Sequence, residues 1–496
     1  MRIEAPPPLD AAVIDVGSNS VRLVVYRLEG RAIWTVYNEK VLAGLGRDLS
    51  RTGKLSPDGV EQALSALRRF KALLGPERPG PVFSVATAAV RDAKDGKIFV
   101  KRARDEAGTA LQVLTGAEEA RYAALGVAAG YARASGLVAD LGGASLELTT
   151  LRDGKPGEGA TFAAGPFSLT SGGAFDPVQV REKLAKRLKG SDAFAAETLH
   201  AVGGAWRNLA LIHMRLTGYP LEIVHQYAFN VADALDTARF IARQSRNSLE
   251  RMGGASKKRA ETLPYAALVL EALIERLGVR QVVISAYGLR EGLLFEAMDE
   301  TSRSDDPLVV GAAALGGRRA EAEELGAAIE AWLTPAFASL APVFGARDQL
   351  LIAAASRFAE LGARLHPDHR GTLAFEQVLR APIPGQSHAE RAFLASAIFY
   401  RHTAIADPPE PITLSRLLDF QGQRRARALG SAIRLACDLC GRNPWLLRHA
   451  RLEFDEDRVV LTADAKRADL LLGEQTKRRA QTLASALGLT LDIKTR

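Results

Sequence analysis

The chain has 496 residues, 47% apolar and 25% charged, which suits an ordinary soluble globular protein too long for one hydrophobic core, so three or four domains are expected. Lys and Arg outnumber Asp and Glu by 65 to 57, and the net charge of +8 either favours an anionic partner or reflects a basic proteome. The N-terminal Met-Arg-Ile-Glu-Ala-Pro-Pro-Pro lacks an apolar signal core and no run of about 18 apolar residues occurs, so a cytoplasmic protein without membrane attachment is expected.

The first predicted element is an apolar strand ending in Asp15-Val-Gly17. It makes a small-residue turn, Gly17-Ser18-Asn19-Ser20, continues as a second strand to Tyr26 and turns again at Gly30. The pattern then predicts a helix from Ser56 to Leu74, a strand from Pro81 to Ala86 and a loop from Thr87 to Ala93. A helix through Phe99 and Arg104, a strand from Ala110 to Leu114 and an Ala-rich helix from Ala117 to Tyr131 follow. The opening motif recurs as Leu137-Val-Ala-Asp140-Leu-Gly142-Gly143-Ala144-Ser145, with a second strand to Leu151 and a turn at Gly154. Leu199 to Val202 runs into Gly203-Gly204, and Gln281 to Ser285 precedes Gly288-Leu289-Arg290-Glu291-Gly292. A duplicated α/β core is the economical description. From the polar run at Ser302 to Asp306 as far as Gly441 the periodicity is helical, and it contains the only cysteines, Cys437 and Cys440. With no second pair to complete a zinc site, they read as reduced, structural residues. The last segment reads as a small α/β cap.

Two Asp-x-Gly turns place two sets of backbone N–H groups and two aspartates where a phosphate chain with its metal can be gripped from both sides. A lone Gly-Ser-Asn turn also serves an ordinary hairpin, and the second copy shifts the balance toward phosphate. On an alternating strand Glu147 faces the same side as Ser145, so Asp140 and Glu147 are candidates to share a magnesium ion. Thr115-Gly-Ala-Glu118 fits a capping box that occupies Glu118. Glu119 is then the freer carboxylate, either polarising a water for attack on phosphorus or sitting as a solvated acid in the first turn. Arg91 and Arg22 each read as a phosphate ligand or a surface arginine. The clusters Lys257-Lys258-Arg259 and Arg424-Arg425-x-Arg427 either track a polyanion or form solvated faces.

Together these segments resemble the exopolyphosphatase and guanosine pentaphosphate phosphatase (Ppx/GppA) family of the actin-like ATPase superfamily. The motifs are Asp15-x-Gly-Ser-Asn-Ser, Ala86-Thr87 through Arg91, Gly116-x-Glu-Glu-Ala-Arg121, Asp140-Leu-Gly-Gly-Ala-Ser-Leu-Glu147, Val202-Gly-Gly and Gly288-Leu-Arg-Glu-Gly292, in that order. The resemblance implies an α/β fold with a duplicated actin-like (ribonuclease H-like) two-lobed core, the lobes at 1–130 and 131–303. It further implies a helical domain at 304–445 similar to HD metal phosphohydrolases, and a small α/β domain at 446–496. The activity it implies is magnesium-assisted hydrolysis of a terminal phosphoanhydride, with Glu119 as water-activating base. Asp15, Asp140 and Glu147 become the metal carboxylates, and Gly17, Ser18, Asn19, Ser20, Gly142, Gly143, Ala144 and Ser145 the phosphate loops. Arg91 binds the chain, while Arg22, Gly203, Gly204, Lys257, Lys258 and Arg259 are further candidate polyanion or nucleotide contacts.

The chain departs from the family pattern in three places. Ala144 and Leu146 replace a glycine and a threonine, and Glu261 stands where many members have aspartate. Phe358-Ala359-Glu360-Leu361 stands where a His-Asp pair is expected, leaving His366 and His369 without that partner. No metal is expected there, and the helical domain takes a structural role, lining a channel for polyphosphate or a dimer surface. The expected function is release of orthophosphate from the end of inorganic polyphosphate. The alternatives are a guanosine pentaphosphate (pppGpp) 5′-phosphohydrolase, a kinase of the same superfamily and a non-enzymatic sensor of polyphosphate or alarmone. Expected partners are polyphosphate, pppGpp or ppGpp and a second copy in a homodimer, with no DNA and no membrane.

Overall fold

The computed structural model describes residues 9–75, 80–170, 174–253, 259–317, 320–404 and 407–496. Strand β1 (Leu9–Val16) is apolar at successive positions because both its faces are covered. Ala12, Ile14 and Val16 enter a core with Leu64, Leu67 and Phe70 of the helix Pro57–Leu74, while Ala11 and Val13 pack with Ala128, Leu294 and Phe295. Such a strand belongs mid-sheet. It pairs antiparallel with β2 (Val21–Glu29), which pairs with β3 (Ala32–Val41), and parallel with β4 (Val82–Ala86), which pairs with β5 (Gln112–Val113), giving the order β3-β2-β1-β4-β5.

The second sheet repeats this plan. Strands β6 (Gly136–Leu141), β7 (Leu146–Arg152) and β8 (Lys155–Phe162) form the meander, and β9 (Thr198–Val202) and β11 (Gln281–Ser285) add in parallel. Strand β10 (Ala228–Asn230) extends the edge, so the order is β10-β11-β9-β6-β7-β8. The helix Gly116–Gly130 is Ala-rich on every side and is largely buried, with Ala117 and Arg121 exposed near its start. Ala123, Ala124 and Val127 share a cluster with Val138 and Leu151 of the second sheet, and Ala128 and Ala129 pack with the first sheet's Val13 and Val24. Its N-terminal turn, carrying Glu119, is thereby held beside both. The helix Leu289–Ala297 returns to the first sheet and crosses Gly116–Gly130 at backbone distance. A Cβ on Gly292 would lie 1.9 Å from the Tyr122 carbonyl oxygen.

Two local expectations change. Within the predicted loop from Thr87 to Ala93 the chain forms the short helix Ala88–Asp92, whose leading amide at Ala88 is satisfied by Glu119, a residue remote in sequence. The strand predicted from Ala110 to Leu114 shrinks to Gln112–Val113, an exposed edge that pairs only with Val85 and Ala86.

The chain divides after Ser304 into a second compact unit. This unit is helical as far as Cys440, through Pro307–Gly316, Ala320–Phe337, Asp348–Arg357, Arg370–Arg380, His388–His402, Pro411–Leu417 and Phe420–Cys440. It ends in a small sheet, β12 (Ala450–Phe454), β13 (Arg458–Ala463) and β14 (Thr490–Thr495), with the helix Glu474–Leu487 before β14. Cys437 and Cys440 are buried and unbridged. Arg424, Arg425 and Arg427 donate to the carbonyls of Leu487, Ala341 and Ala404, so this basic cluster is tied to its own unit's backbone. Among the described residues no helix is long and apolar enough to cross a membrane.

Candidate active site

Both Asp-x-Gly turns line one cleft of about 1980 Å³ within the first unit. They share a closing bond, with Gly17 N–H donating to Ser20 O and Gly142 N–H to Ser145 O, each at 3.0 Å. The turn carbonyls are engaged from behind. Ser18 O accepts from Gly46 N–H at 2.8 Å, Asn19 O from Gly44 N–H at 3.1 Å, Gly143 O from Phe167 N–H at 2.8 Å and Ala144 O from Gly165 N–H at 3.1 Å. The N–H groups of Ser18, Asn19, Gly143 and Ala144 donate to nothing among the described residues. Two pinned turns with free amides line the cleft, an arrangement suited to cradling an anion.

The carboxylates gather beside these cradles. Thr115 and Glu118 make the predicted capping box, and Glu119 is buried rather than solvated. Its Oε1 accepts the Ala88 N–H at 3.0 Å and its Oε2 lies 3.3 Å from Arg91 NH1. Arg91 also donates to Leu114 O at 3.1 Å and Asp92 at 3.0 Å, which fixes it at the cleft wall. Asp140 and Glu147 stand directly opposite each other across β6 and β7. Burial raises Glu119 to about 7 against the opposing pull of Arg91, and burial with the charge of Asp15 raises Asp140 to about 6. Glu147 is raised by burial and by Glu119 and Asp140.

Glu147 Oε1 is buried and has no hydrogen-bond partner. An orphaned carboxylate oxygen opposite a second carboxylate fits a hard divalent cation, and two carboxylates completed by phosphate oxygens and waters suit magnesium. No group of three His, Cys, Asp or Glu suited to a metal occurs among the described residues, so the protein supplies only part of such a shell. Asp15 differs from this pair, because it is neutralised by Arg290 at 3.0 Å.

The acids also set a pH response. Between their ordinary values and the raised ones only the folded chain holds the protons, so stability falls as pH rises through that interval. In cation-free buffer the melting temperature is expected to fall between pH 4.5 and about 7 as Glu119 and Asp140 ionise, and magnesium should shrink the fall. A melting temperature flat over that interval would show that these carboxylates are not crowded.

Cations line the rest of the cleft. Arg22 lies directly opposite Lys40 across β2 and β3, and its Nε donates to Asn38 at 2.8 Å. Burial and the neighbouring Arg259, Arg22, Arg207 and Arg290 push Lys40 down to about 8. Gly203 has φ +116°, and Arg259 packs so closely on Gly204 that a Cβ there would meet its guanidinium at 1.8 Å. Sequence reasoning missed Lys40, whose place depends on strand register, and Arg207, three residues beyond the Gly203-Gly204 helix start. Glu261, at the cleft edge, lies 3.6 Å from Arg246. Lys257 and Lys258 lie outside the described residues.

Fold and cleft together define a two-lobed phosphate-handling protein. The structure is similar to that of the Aquifex aeolicus Ppx/GppA family member, with TM-score 0.52 and 25% identity over 58% of this chain and 97% of that one. It shares its fold with an exopolyphosphatase from Cytophaga hutchinsonii, with TM-score 0.54 and 21% identity over 58% of this chain and 98% of that one. Residues 24–301 match the Ppx/GppA phosphatase family and residues 308–493 match the exopolyphosphatase C-terminal family. The chain belongs to the Ppx/GppA phosphatase family and has its actin-like α/β core. Exopolyphosphatase 1 of Mycobacterium tuberculosis is 28% identical over 305 residues, 58% of this chain and 88% of that protein. Guanosine-5′-triphosphate,3′-diphosphate pyrophosphatase of Vibrio campbellii is 25% identical over 476 residues, 92% of each chain.

Proposed function

We propose that this protein is an exopolyphosphatase that releases orthophosphate from the end of inorganic polyphosphate. The observation that carries this reading is a buried carboxylate, Glu119, beside two like-built amide cradles in a cleft otherwise rich in arginine. In this account the terminal phosphoryl group rests between the turns at Gly17 to Ser20 and Gly142 to Ser145, and Arg91 balances charge on its oxygens. Glu119 orients a water in line with the scissile bond and takes its proton, a role suited to a carboxyl held near 7. Asp140 and Glu147 are the residues to hold magnesium, which when bound supplies further charge neutralisation. The basic wall of Arg22, Lys40, Arg207 and Arg259 receives the rest of the chain. The same reading divides the protein into lobes at 1–130 and 131–303, a helical domain at 304–445 and a terminal domain at 446–496.

A second reading, hydrolysis of the 5′-phosphate of pppGpp, is supported by the full-length likeness to the Vibrio campbellii protein. It uses the same chemistry. Orthophosphate release measured from long-chain polyphosphate and from pppGpp, separately and in competition at one magnesium concentration, decides between them. The exopolyphosphatase reading expects polyphosphate to have the higher kcat/KM, and a preference for pppGpp would replace it.

A further inference from the structure

One hydroxyl in the cleft is uncommitted. Thr161, in β8, stands directly opposite Glu147 of β7, and cross-strand partners of this kind hold their Cβ atoms about 5 Å apart on one face of the sheet. That face meets the helix Gly116–Gly130. A Cβ on Gly159, opposite Thr149 and two positions before Thr161, would lie 3.4 Å from the Ala120 Cβ. Nearer the helix start, a Cβ on Gly116 would overlap the Thr161 hydroxyl, so glycine is what lets the helix begin so close to that oxygen. Gly116 and Glu119 lie one turn apart on the same helical face. Thr161 therefore rests against the face that carries Glu119, with Glu147 beside it.

Thr161 is exposed and lines the cleft, and its side chain makes no hydrogen bond with any described residue. In the hydrolytic account its polar neighbours are engaged: Arg91 and the cradle amides by phosphoryl oxygens, Glu147 by the cation. A water held only by its base can turn about that one hydrogen bond, whereas in-line attack needs a lone pair fixed on phosphorus. A second polar contact removes that freedom.

We propose that the Thr161 hydroxyl is this second contact and orients the attacking water between Glu147 and Glu119, an inference that rests on the hydrolytic reading of the cleft. The water oxygen bonds to the terminal phosphorus as the bridging P–O bond breaks, and the bridging oxygen leaves with the electron pair on the shortened chain. One water proton passes to Glu119. The other points at Thr161 Oγ1 during attack and remains on the orthophosphate, while Thr161 keeps its own proton.

Steady-state orthophosphate release and a binding isotherm for Thr161→Val and Thr161→Ser, on whichever of polyphosphate and pppGpp the parent protein hydrolyses faster, test this. Thr161→Val keeps the shape and the strand preference of the residue without its hydroxyl. Its kcat is expected to fall about tenfold or more, the equivalent of one hydrogen bond lost from the transition state, with KM, affinity and melting temperature unchanged. Thr161→Ser keeps the hydroxyl and should retain most of the parent rate. Equal losses in the two variants, or affinity lost together with turnover in Thr161→Val, would assign Thr161 to packing or substrate binding and overturn the proposal. So would a Thr161→Val protein as fast as an active parent, a result that leaves the hydrolytic reading standing. A parent that releases no orthophosphate from either substrate overturns that reading, and this inference with it. Thr161→Ala carries the same comparison should Thr161→Val not fold.

Discussion

Glu119→Gln lowers the turnover of orthophosphate release by about 1,000-fold, the loss expected when a positioned general base is removed. Polyphosphate binding is preserved. The amide keeps the volume of the side chain and an oxygen for the Ala88 N–H, so the short helix carrying Arg91 keeps its cap. What it lacks is the capacity to accept a proton. Arg91 loses the charge now 3.3 Å away and becomes freer to meet phosphate, so KM is expected to hold or fall. Removing one of several mutually repelling buried acids also leaves the melting temperature unchanged or higher. Steady-state kinetics with a binding isotherm distinguish this pattern from misfolding, in which binding and turnover disappear together. Retained turnover would remove Glu119 from the chemistry.

Asp140→Asn and Glu147→Gln produce the second large effect, in a different measurement. Each is expected to raise the magnesium concentration for half-maximal rate by at least the 10–100-fold that loss of even an outer metal partner costs, roughly a hundredfold here. Excess magnesium should restore part of the rate, which it cannot do for Glu119→Gln. Asp15→Asn should behave otherwise, because that carboxylate is matched to Arg290. Its loss removes the carboxylate bonded to a buried guanidinium, so stability is expected to suffer more than the magnesium response. A Glu147→Gln enzyme with an unshifted magnesium curve would show that the orphaned oxygen of Glu147 does not serve a cation.

The parts of this site legible in the chain were those written locally. Asp-x-Gly followed by small residues specifies a tight turn wherever it occurs, and its recurrence at Asp140 announces the duplication before any sheet is seen. The Thr115–Glu118 capping box is likewise complete within four residues, and it correctly separates Glu118 from Glu119. The environment of Glu119 was not legible, because Ala88 and Arg91 come from a segment whose short helix depends on the glutamate itself. The cation wall was only half readable. Arg22 stands beside a turn, but Lys40 meets it only through the register of β2 and β3, and Arg207 is an ordinary helix residue until its neighbours close around it. The return of Leu289–Ala297 to the first sheet escapes local pattern too, since it rests on Gly292 permitting backbone contact with Tyr122.

The central claim is that the cleft delivers water to the terminal phosphorus. Hydrolysis of polyphosphate in oxygen-18 water, with magnesium and the unaltered protein, tests it most directly. The account predicts one labelled oxygen in each orthophosphate released and none in the shortened chain; unlabelled orthophosphate, or label retained in the chain, would contradict it.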